Sequence, residues 1–242
     1  MEIIVLDSVD STNSWVADHE RELPSPVIVR CNTQKAGRGQ RGNSWEARPG
    51  ENFTGSVLLH PENMPACSQF SISEAVALAV VKTLEHFGIR AKVKWPNDIY
   101  VGDKKICGIL VEHVVTGSNI SRTIAGIGLN INQEVFVSDA PNPISMKQET
   151  GKEFDINEVS AELGRQLESF LMTRMNREEI HDNFMRSLWR NDAEFYNFAD
   201  KIKNEQIFAR IVDVAHDGIL SLATDSGELR QYAFKEIEFL LE

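Results

Sequence analysis

Residues 98–132 constrain the fold more than any other stretch of this chain. Within them, 98–101, 105–115 and 122–132 are runs rich in β-branched and aliphatic side chains, separated by Gly102-Asp103 and by Gly117-Ser118-Asn119. Such runs, bounded by short glycine turns, read as three strands of an antiparallel meander. A two-residue turn at Gly102-Asp103 sets Val101 opposite Lys104, Tyr100 opposite Lys105 and Asp98 opposite Cys107. Strand side chains alternate between faces, so Asp98, Tyr100, Lys105 and Cys107 share one face, with Asp98 and Lys105 as diagonal neighbours roughly 7 Å apart. A plain ion pair satisfies that spacing, and so does a functional pair beside the stiff corner Trp95-Pro96-Asn97. Gly126 and Gly128 interrupt the third strand, which marks either a β-bulge or the close approach of a ligand or another backbone.

Other elements surround the meander. Strands are expected at 2–6, 27–30, 53–59 and 91–95. A helix is expected at 13–19, with Ser11, Thr12 and Asn13 as N-cap candidates. Another spans 71–87, with Ser71 and Glu74 at capping-box spacing and Gly88 as its stop. Helices also read at 155–175 and 177–189. The stretch 133–151, with Pro141 and Pro143, has no periodicity and reads as a mobile loop of the kind that closes over ligands. Beyond Asn191, short strands at 207–214, 219–223, 229–234 and 237–241, punctuated by Asp217-Gly218 and Ser226-Gly227, imply a small all-β module.

Between Cys31 and Leu59 lies a segment with glycines at 37, 39, 42, 50 and 55 and with Lys35, Arg38, Arg41 and Arg48 among them, in a chain of net charge -11. Glycine permits close backbone approach and arginine offers a planar donor fork, so the loop suits an anion. Gly37, Gly39 and Gly42 meet the GxGxxG spacing; Gly37, Gly42, Asn43 and Ser44 meet the P-loop spacing, with Asn in place of the required Lys. Both motifs need a helix starting at the end of the loop, and residues 45–50, which include Pro49 and Gly50, break one. A structural glycine loop with solvated arginines is the other reading.

The acidic balance argues against nucleic acid as the main partner. Three separated cysteines without a CxxC indicate neither a disulfide framework nor a zinc ribbon, and no run approaches the ~18 apolar residues of a membrane span. A soluble cytoplasmic protein without a leader is expected.

Four motifs in order carry a resemblance. They are Ser11-Thr12-Asn13; 33–39 with Gly42 and Trp45; 94–98 with Lys105 and Gly108; and 126–130. Together they make the chain similar to the biotin protein ligases, in a short form with no room before Ser11 for a DNA-binding domain. The resemblance implies an α+β fold: residues 1–187 as a catalytic domain like that of class II aminoacyl-tRNA synthetases, with helices on a mixed sheet, and residues 188–242 as an SH3-like β-barrel. It also implies that biotin and ATP react to biotinyl-5′-AMP, and that biotin then passes to a lysine of a biotin carboxyl carrier protein. By the same resemblance Lys105 and Arg38 are catalytic. Ser11, Thr12, Asn13, Gln34, Gly37, Arg38, Lys105, Gly108, Gly126 and Gly128 bind biotin. Arg38, Arg41, Trp45, Asn97, Lys105 and Asn130 bind ATP and the adenylate. Mg²⁺ travels with ATP, with Asp98 as its protein ligand, and no Ser/His/Asp nucleophile is needed. Gln40 and Asn43 stand where many members have Arg. The implied partners are biotin, ATP and the carrier domain, with no DNA and no membrane; monomer and homodimer stay open. The alternatives are a lipoate or octanoate protein ligase of the same fold, and a non-catalytic biotin- or nucleotide-binding regulator.

Overall fold

A computed structural model describes residues 1–138, 142–172 and 176–241, and of Arg41 the backbone only. Pro141 and the expected helix end at Met175 lie outside the described residues. The elements are β1 (Glu2–Val9), α1 (Thr12–His19), β2 (Val27–Gln34), β3 (Phe53–Leu59), α2 (Phe70–His86), β4 (Lys92–Lys94), β5 (Asp98–Val101), β6 (Lys104–Thr116), β7 (Asn119–Leu129), α3 (Met146–Thr150), α4 (Ile156–Met172), α5 (Arg177–Ser187), β8 (Tyr196–Asp200), β9 (Glu205–Val214), β10 (Leu220–Thr224), β11 (Leu229–Tyr232) and β12 (Ile237–Phe239).

Seven strands form a mixed sheet in the order β1-β2-β3-β7-β6-β5-β4, in which only β1 and β2 run parallel. The expected meander is its β5-β6-β7 part. Alternation divides the core. Ile28, Val57 and Ile127 join the large cluster with α2, α4 and α5. Val27, Val29, Leu58 and Ile124 face the other way and pack with Val16 and Trp15 of α1. Both faces of β2 and β3 are therefore covered here, which is why 27–29 and 57–59 are continuously apolar rather than alternating.

The second sheet is antiparallel, in the order β11-β10-β9-β8-β12, and open between its outer strands. Its core merges with the first: Trp95 Nε1 donates to Gly218 O at 3.0 Å, and Phe234 packs edge-on to Trp95. Leu188 and Trp189 run beside Val93 of β4, so the last turn of the expected 177–189 helix is extended chain instead. No helix among the described residues is long and apolar enough to cross a membrane. The three cysteines are free.

Four local expectations are corrected. Ser71 and Glu74 form no capping box. Ser71 Oγ donates to Ser68 O, while Glu74 is buried and 2.7 Å from His181 Nδ1, because tertiary contact claimed the carboxylate. Burial raises the Glu74 pKa and His181 opposes the rise. Residues 133–151 are not one irregular loop: a capping box between Ser145 and Gln148 starts α3, and Gly151, at φ 71°, ends it. β8 was not foreseen, since Tyr196, Asn197 and Asp200 dilute its apolar pattern. Finally, a bulge shifts the β5–β6 register. Tyr100 stays opposite Lys105, but Ile99 meets Cys107 and Asp98 meets Gly108, so Cys107 is fully buried on the core side and not beside Asp98. Burial drives its thiol pKa well up.

Asp200 is a buried anchor of the second sheet. It accepts the N–H groups of Ile202 and Lys203 at 2.9 Å each and the Tyr232 hydroxyl at 2.8 Å. Burial pushes its pKa up, but these donors and Arg230 outweigh that and hold it below the usual aspartate value. A carboxyl with a depressed folded-state pKa stabilises the fold above its unfolded pKa, and the contribution disappears as pH falls through the folded value. Asp200→Ala is expected to cost about 2–4 kcal/mol at neutral pH by urea denaturation, because it strands buried donors. The gap between parent and variant narrows below about pH 4.

Candidate active site

The face of the sheet that carries α1 is apolar at one end and hollow at the other. Along β3 the residues on this face run Leu58, Ser56, Thr54; along β7 they run Ile124, Gly126, Gly128; along β6 they run Leu110, Gly108. Register places Ser56 beside Gly126 and Gly126 beside Leu110, and Thr54 beside Gly128 and Gly128 beside Gly108. Replacing branched side chains by small ones at every second position opens a cleft of about 520 Å³ above these strands. No bulge occurs at Gly126 or Gly128; the close-approach reading holds instead. A Cβ at Gly126 would lie 2.5 Å from Asn13 Oδ1, and one at Gly128 would run into the Trp45 indole.

At one end of the cleft, Ser11 occupies the N-cap position of α1 but makes no capping bond through its side chain. Thr12 N donates to Gln34 Oε1 at 2.9 Å, and Ser56 Oγ lies 2.7 Å from Thr12 Oγ1 and 2.5 Å from Asn13 Oδ1. Asn13 Nδ2 donates to Glu112 Oε2 at 2.7 Å. These buried polar groups form a network rather than a cap, and Ser56 and Glu112 are members that the sequence reading missed. The period-two run of small residues through Thr54 and Ser56 was the available signal.

At the other end sits Lys105. Lys105 Nζ is 2.6 Å from Asp98 Oδ1, a direct pair where a diagonal contact was expected. Lys105 stays on the face of Asp98, as expected, and the extra residue Ile106 in the bulge brings Gly108 rather than Cys107 to that face. Arg38 holds both oxygens of Glu112, at 3.1 and 2.9 Å. Asn97 donates its amide to Ile109 O and so ties β5 to β6 at the rim. Asn130 is buried, donates to Ile144 O at 3.0 Å and leaves Oδ1 without a partner. The side chain of Arg41 lies outside the described residues.

The glycine loop folds into a small hairpin. Arg38 bridges Ser44, Gly39 N donates to Asn43 O, and Trp45 N donates to Gly37 O around a 3-10 turn at Gln40–Gly42. No α-helix follows, so neither nucleotide fingerprint has its helix. Gly37 is not a cleft wall: a Cβ there would meet Gln34 Nε2 at 2.6 Å, so its role is to let the hairpin close. The hairpin lowers Trp45 over Gly108 and Gly128, with Lys105 Nζ 5.6 Å from the ring, and buries Trp45 Nε1 without a partner. Glu46 joins this loop to the second one. It accepts the N–H groups of Val137 and Ser138 and the amide of Gln133, and although burial pushes its pKa up, these bonds bring it below the usual value. Phe136, Ser138 and Pro143, from the 133–151 stretch expected to close over ligands, complete the walls together with Lys235, which was not anticipated because it comes from the second sheet.

Gly128→Ala should unseat Trp45. Tryptic cleavage within the glycine loop is expected to accelerate about ten-fold, since a buried aromatic contact of this size is worth more than 1 kcal/mol. Unchanged cleavage would show that the indole does not hold the loop down.

Comparison with known proteins gives consistent matches. The model of the biotin/lipoate A/B protein ligase family matches residues 5–130. The bifunctional ligase/repressor BirA of Escherichia coli is 33% identical over 172 residues, 70% of this chain and 53% of that protein, so the chain spans about half its length. The biotin–[acetyl-CoA-carboxylase] ligase of Paracoccus denitrificans is 32% identical over 64% of the chain and 66% of its own length. Among solved structures, biotin protein ligase from Aquifex aeolicus in complex with biotin and ATP superposes with a TM-score of 0.77 at 22% identity, covering 100% of this chain and 99% of the other.

Proposed function

Because the chain belongs to the biotin/lipoate A/B protein ligase family, we propose that it is an ATP-dependent biotin protein ligase, which forms biotinyl-5′-AMP and transfers biotin to a lysine of a biotin carboxyl carrier protein. The observation that carries this reading is the division of one cleft into two chemistries. A hydrogen-bonding network of Thr12, Asn13, Gln34 and Ser56 lies over small residues at one end, Arg38 joins it through Glu112, and Lys105 lies at the other end. The first suits a compact bicycle with a polar ureido group. The second suits the meeting of a carboxylate with a phosphate.

In the first step the biotin carboxylate attacks the α-phosphorus and pyrophosphate leaves. Two anions must come together, so positioning and neutralisation dominate. Lys105 supplies a positive charge at the reacting phosphate, and Asp98, 2.6 Å away, keeps it aimed until substrate arrives. Arg38 exchanges Glu112 for a phosphate oxygen. In the second step the carrier lysine amine attacks the acyl carbon of the mixed anhydride and AMP departs. Trp45 Nε1 and Asn130 Oδ1, a donor and an acceptor left unpaired in the cleft, are the groups we assign to the adenylate, with Asn97 at its rim and Arg41 on the loop above. Ser11, Gly108, Gly126 and Gly128 line the biotin side. Among the described residues no group of three histidine, cysteine or carboxylate side chains could hold a metal, so Mg²⁺ is read as entering on the nucleotide phosphates with Asp98 as its protein contact. Residues 35–52, between β2 and β3, then act as a flap, with 133–138 as their partner through Glu46. We read residues 1–187 as the catalytic domain, akin to class II aminoacyl-tRNA synthetases, and residues 188–242 as an SH3-like β module.

The test is the mass of a carrier domain after incubation with enzyme, ATP and biotin: a biotinyl gain only when all three are present supports the assignment. Pyrophosphate exchange driven by lipoate instead of biotin would reverse the substrate. Lys105→Ala should lower biotin-dependent exchange by about 10²–10³-fold while the thermal midpoint stays near that of the parent. Gln40→Arg adds a phosphate donor to the flap and is expected to slow adenylate dissociation about five-fold, measured by release of labelled biotinyl-5′-AMP. An unaltered release rate removes Gln40 from the retention argument.

A further inference from the structure

One half-buried lysine beside the cleft has no ion pair among the described residues. Lys94 ends β4, and register sets it opposite Asp98 of β5, which in turn stands opposite Gly108 of β6. Residues paired across a ladder share a face, so Lys94 and Lys105 approach Asp98 from the strands on either side of it. Lys105 Nζ touches the carboxylate at 2.6 Å, and Lys94 does not. Instead the Lys94 ammonium donates to the Tyr100 hydroxyl at 3.2 Å and lies over two rings, 4.8 Å from the centre of Tyr100 and 5.7 Å from that of Phe239. Trp189 closes this cage, 5.3 Å from Tyr100 and 5.8 Å from Phe239.

A half-buried charge is ordinarily paired, and one phenol with two ring faces compensates an ammonium only in part. Burial holds the Lys94 pKa below the ordinary lysine value; Asp98 is the neighbouring charge that opposes this most, while Lys105 and Arg190 act with burial. Asp98 is therefore the anion that Lys94 is placed to serve, and Lys105 holds it first. The use of a second cation follows from the chemistry. Lys105 can act on a substrate anion only by giving up Asp98, and a largely covered carboxylate left without a counter-charge would pull it back.

We propose that Lys94 is a positioning residue that takes over Asp98 when Lys105 turns to the substrate, so that two lysines share one carboxylate in turn. The turning of Lys105 rests on the ligase reading; the sharing of Asp98 does not. The cage suits a charge in waiting. Ring faces hold the stem of Lys94 in place, yet they bind its ammonium without fixed direction, so the charge can shift toward Asp98 on its flexible chain. Lys94 touches no reacting atom in this scheme, and its effect passes through Asp98.

A mutant cycle on the thermal midpoint, in metal-free buffer, decides the matter with Lys94→Met, Lys105→Met and Asp98→Asn. Methionine keeps an unbranched stem among the rings and removes the charge. Each single lysine variant leaves Asp98 one cation and should stay within about 2 °C of the parent, whereas the double variant is expected about 3 °C below the sum of the two effects. Repulsion between the two ammonium groups would give coupling of the same sign, but it would persist in Asp98→Asn, where sharing predicts none. Additive midpoints overturn the proposal, as does coupling that survives Asp98→Asn. In biotin-dependent pyrophosphate exchange, Lys94→Met should lower kcat about ten-fold with the KM for biotin unchanged, and Lys94→Arg should recover most of the loss. An unchanged kcat in Lys94→Met, or an equal loss in Lys94→Arg, also overturns it. A parent without biotin-dependent exchange would remove the ligase reading instead, and the midpoints would still decide whether the two lysines share Asp98.

Discussion

The alternation of side chains across the seven-stranded sheet is the constraint on which the rest of this protein depends. One face is closed by α2, α4 and α5 over a single large apolar cluster, which gives the sheet a rigid back. The other face is apolar only under α1 and turns small at Thr54, Ser56, Gly108, Gly126 and Gly128. Because the back is packed to crystal-like density, the hollow in front does not collapse. A cleft built this way is a property of the strands themselves, and loops only roof it.

Charge in the cleft is held in reserve rather than displayed. Lys105 and Arg38 each have a carboxylate partner within 3 Å, and both pairs are partly exposed, so each partner can be exchanged for a substrate anion at modest cost. Glu112 has a double role: it receives both Arg38 and Asn13, the two sharing its Oε2, and so ties the Arg38 guanidinium to the hydrogen-bonding end. The roof is held by different means, with Trp45 seated over two glycines and Glu46 tied to Val137 and Ser138. Family membership and the shape of the cleft are thus consistent with one another.

Much of this was legible beforehand. The β3 limits, the α2 stop at Gly88, the β5–β6 turn and the glycine turns of the second sheet are local events, set by apolar runs and by residues that favour turns or left-handed backbone. The candidate residues at 11–13, 34, 38, 45, 97, 98, 105, 108, 126, 128 and 130 do converge on one cleft. What was misread depended on partners far away in the chain. Glu74 looked like a cap and is a buried partner of His181, 107 residues on. Asp98 was paired with Cys107 because a bulge leaves no mark in a run of apolar residues.

By itself, then, the sequence determined the antiparallel meander, the glycine loop without a following helix, and the set of polar and basic residues available for chemistry. These follow from periodicity, turn residues and side-chain type, all of which act over a few positions. Only the tertiary structure decided that Gly108 rather than Cys107 shares the face of Asp98 and Lys105, that Glu112 and Ser56 join the site, and that Lys235 reaches the cleft from the second sheet. Each of those depends on register or on docking between elements, and a single residue of slip in a strand would send every one of its side chains to the opposite face.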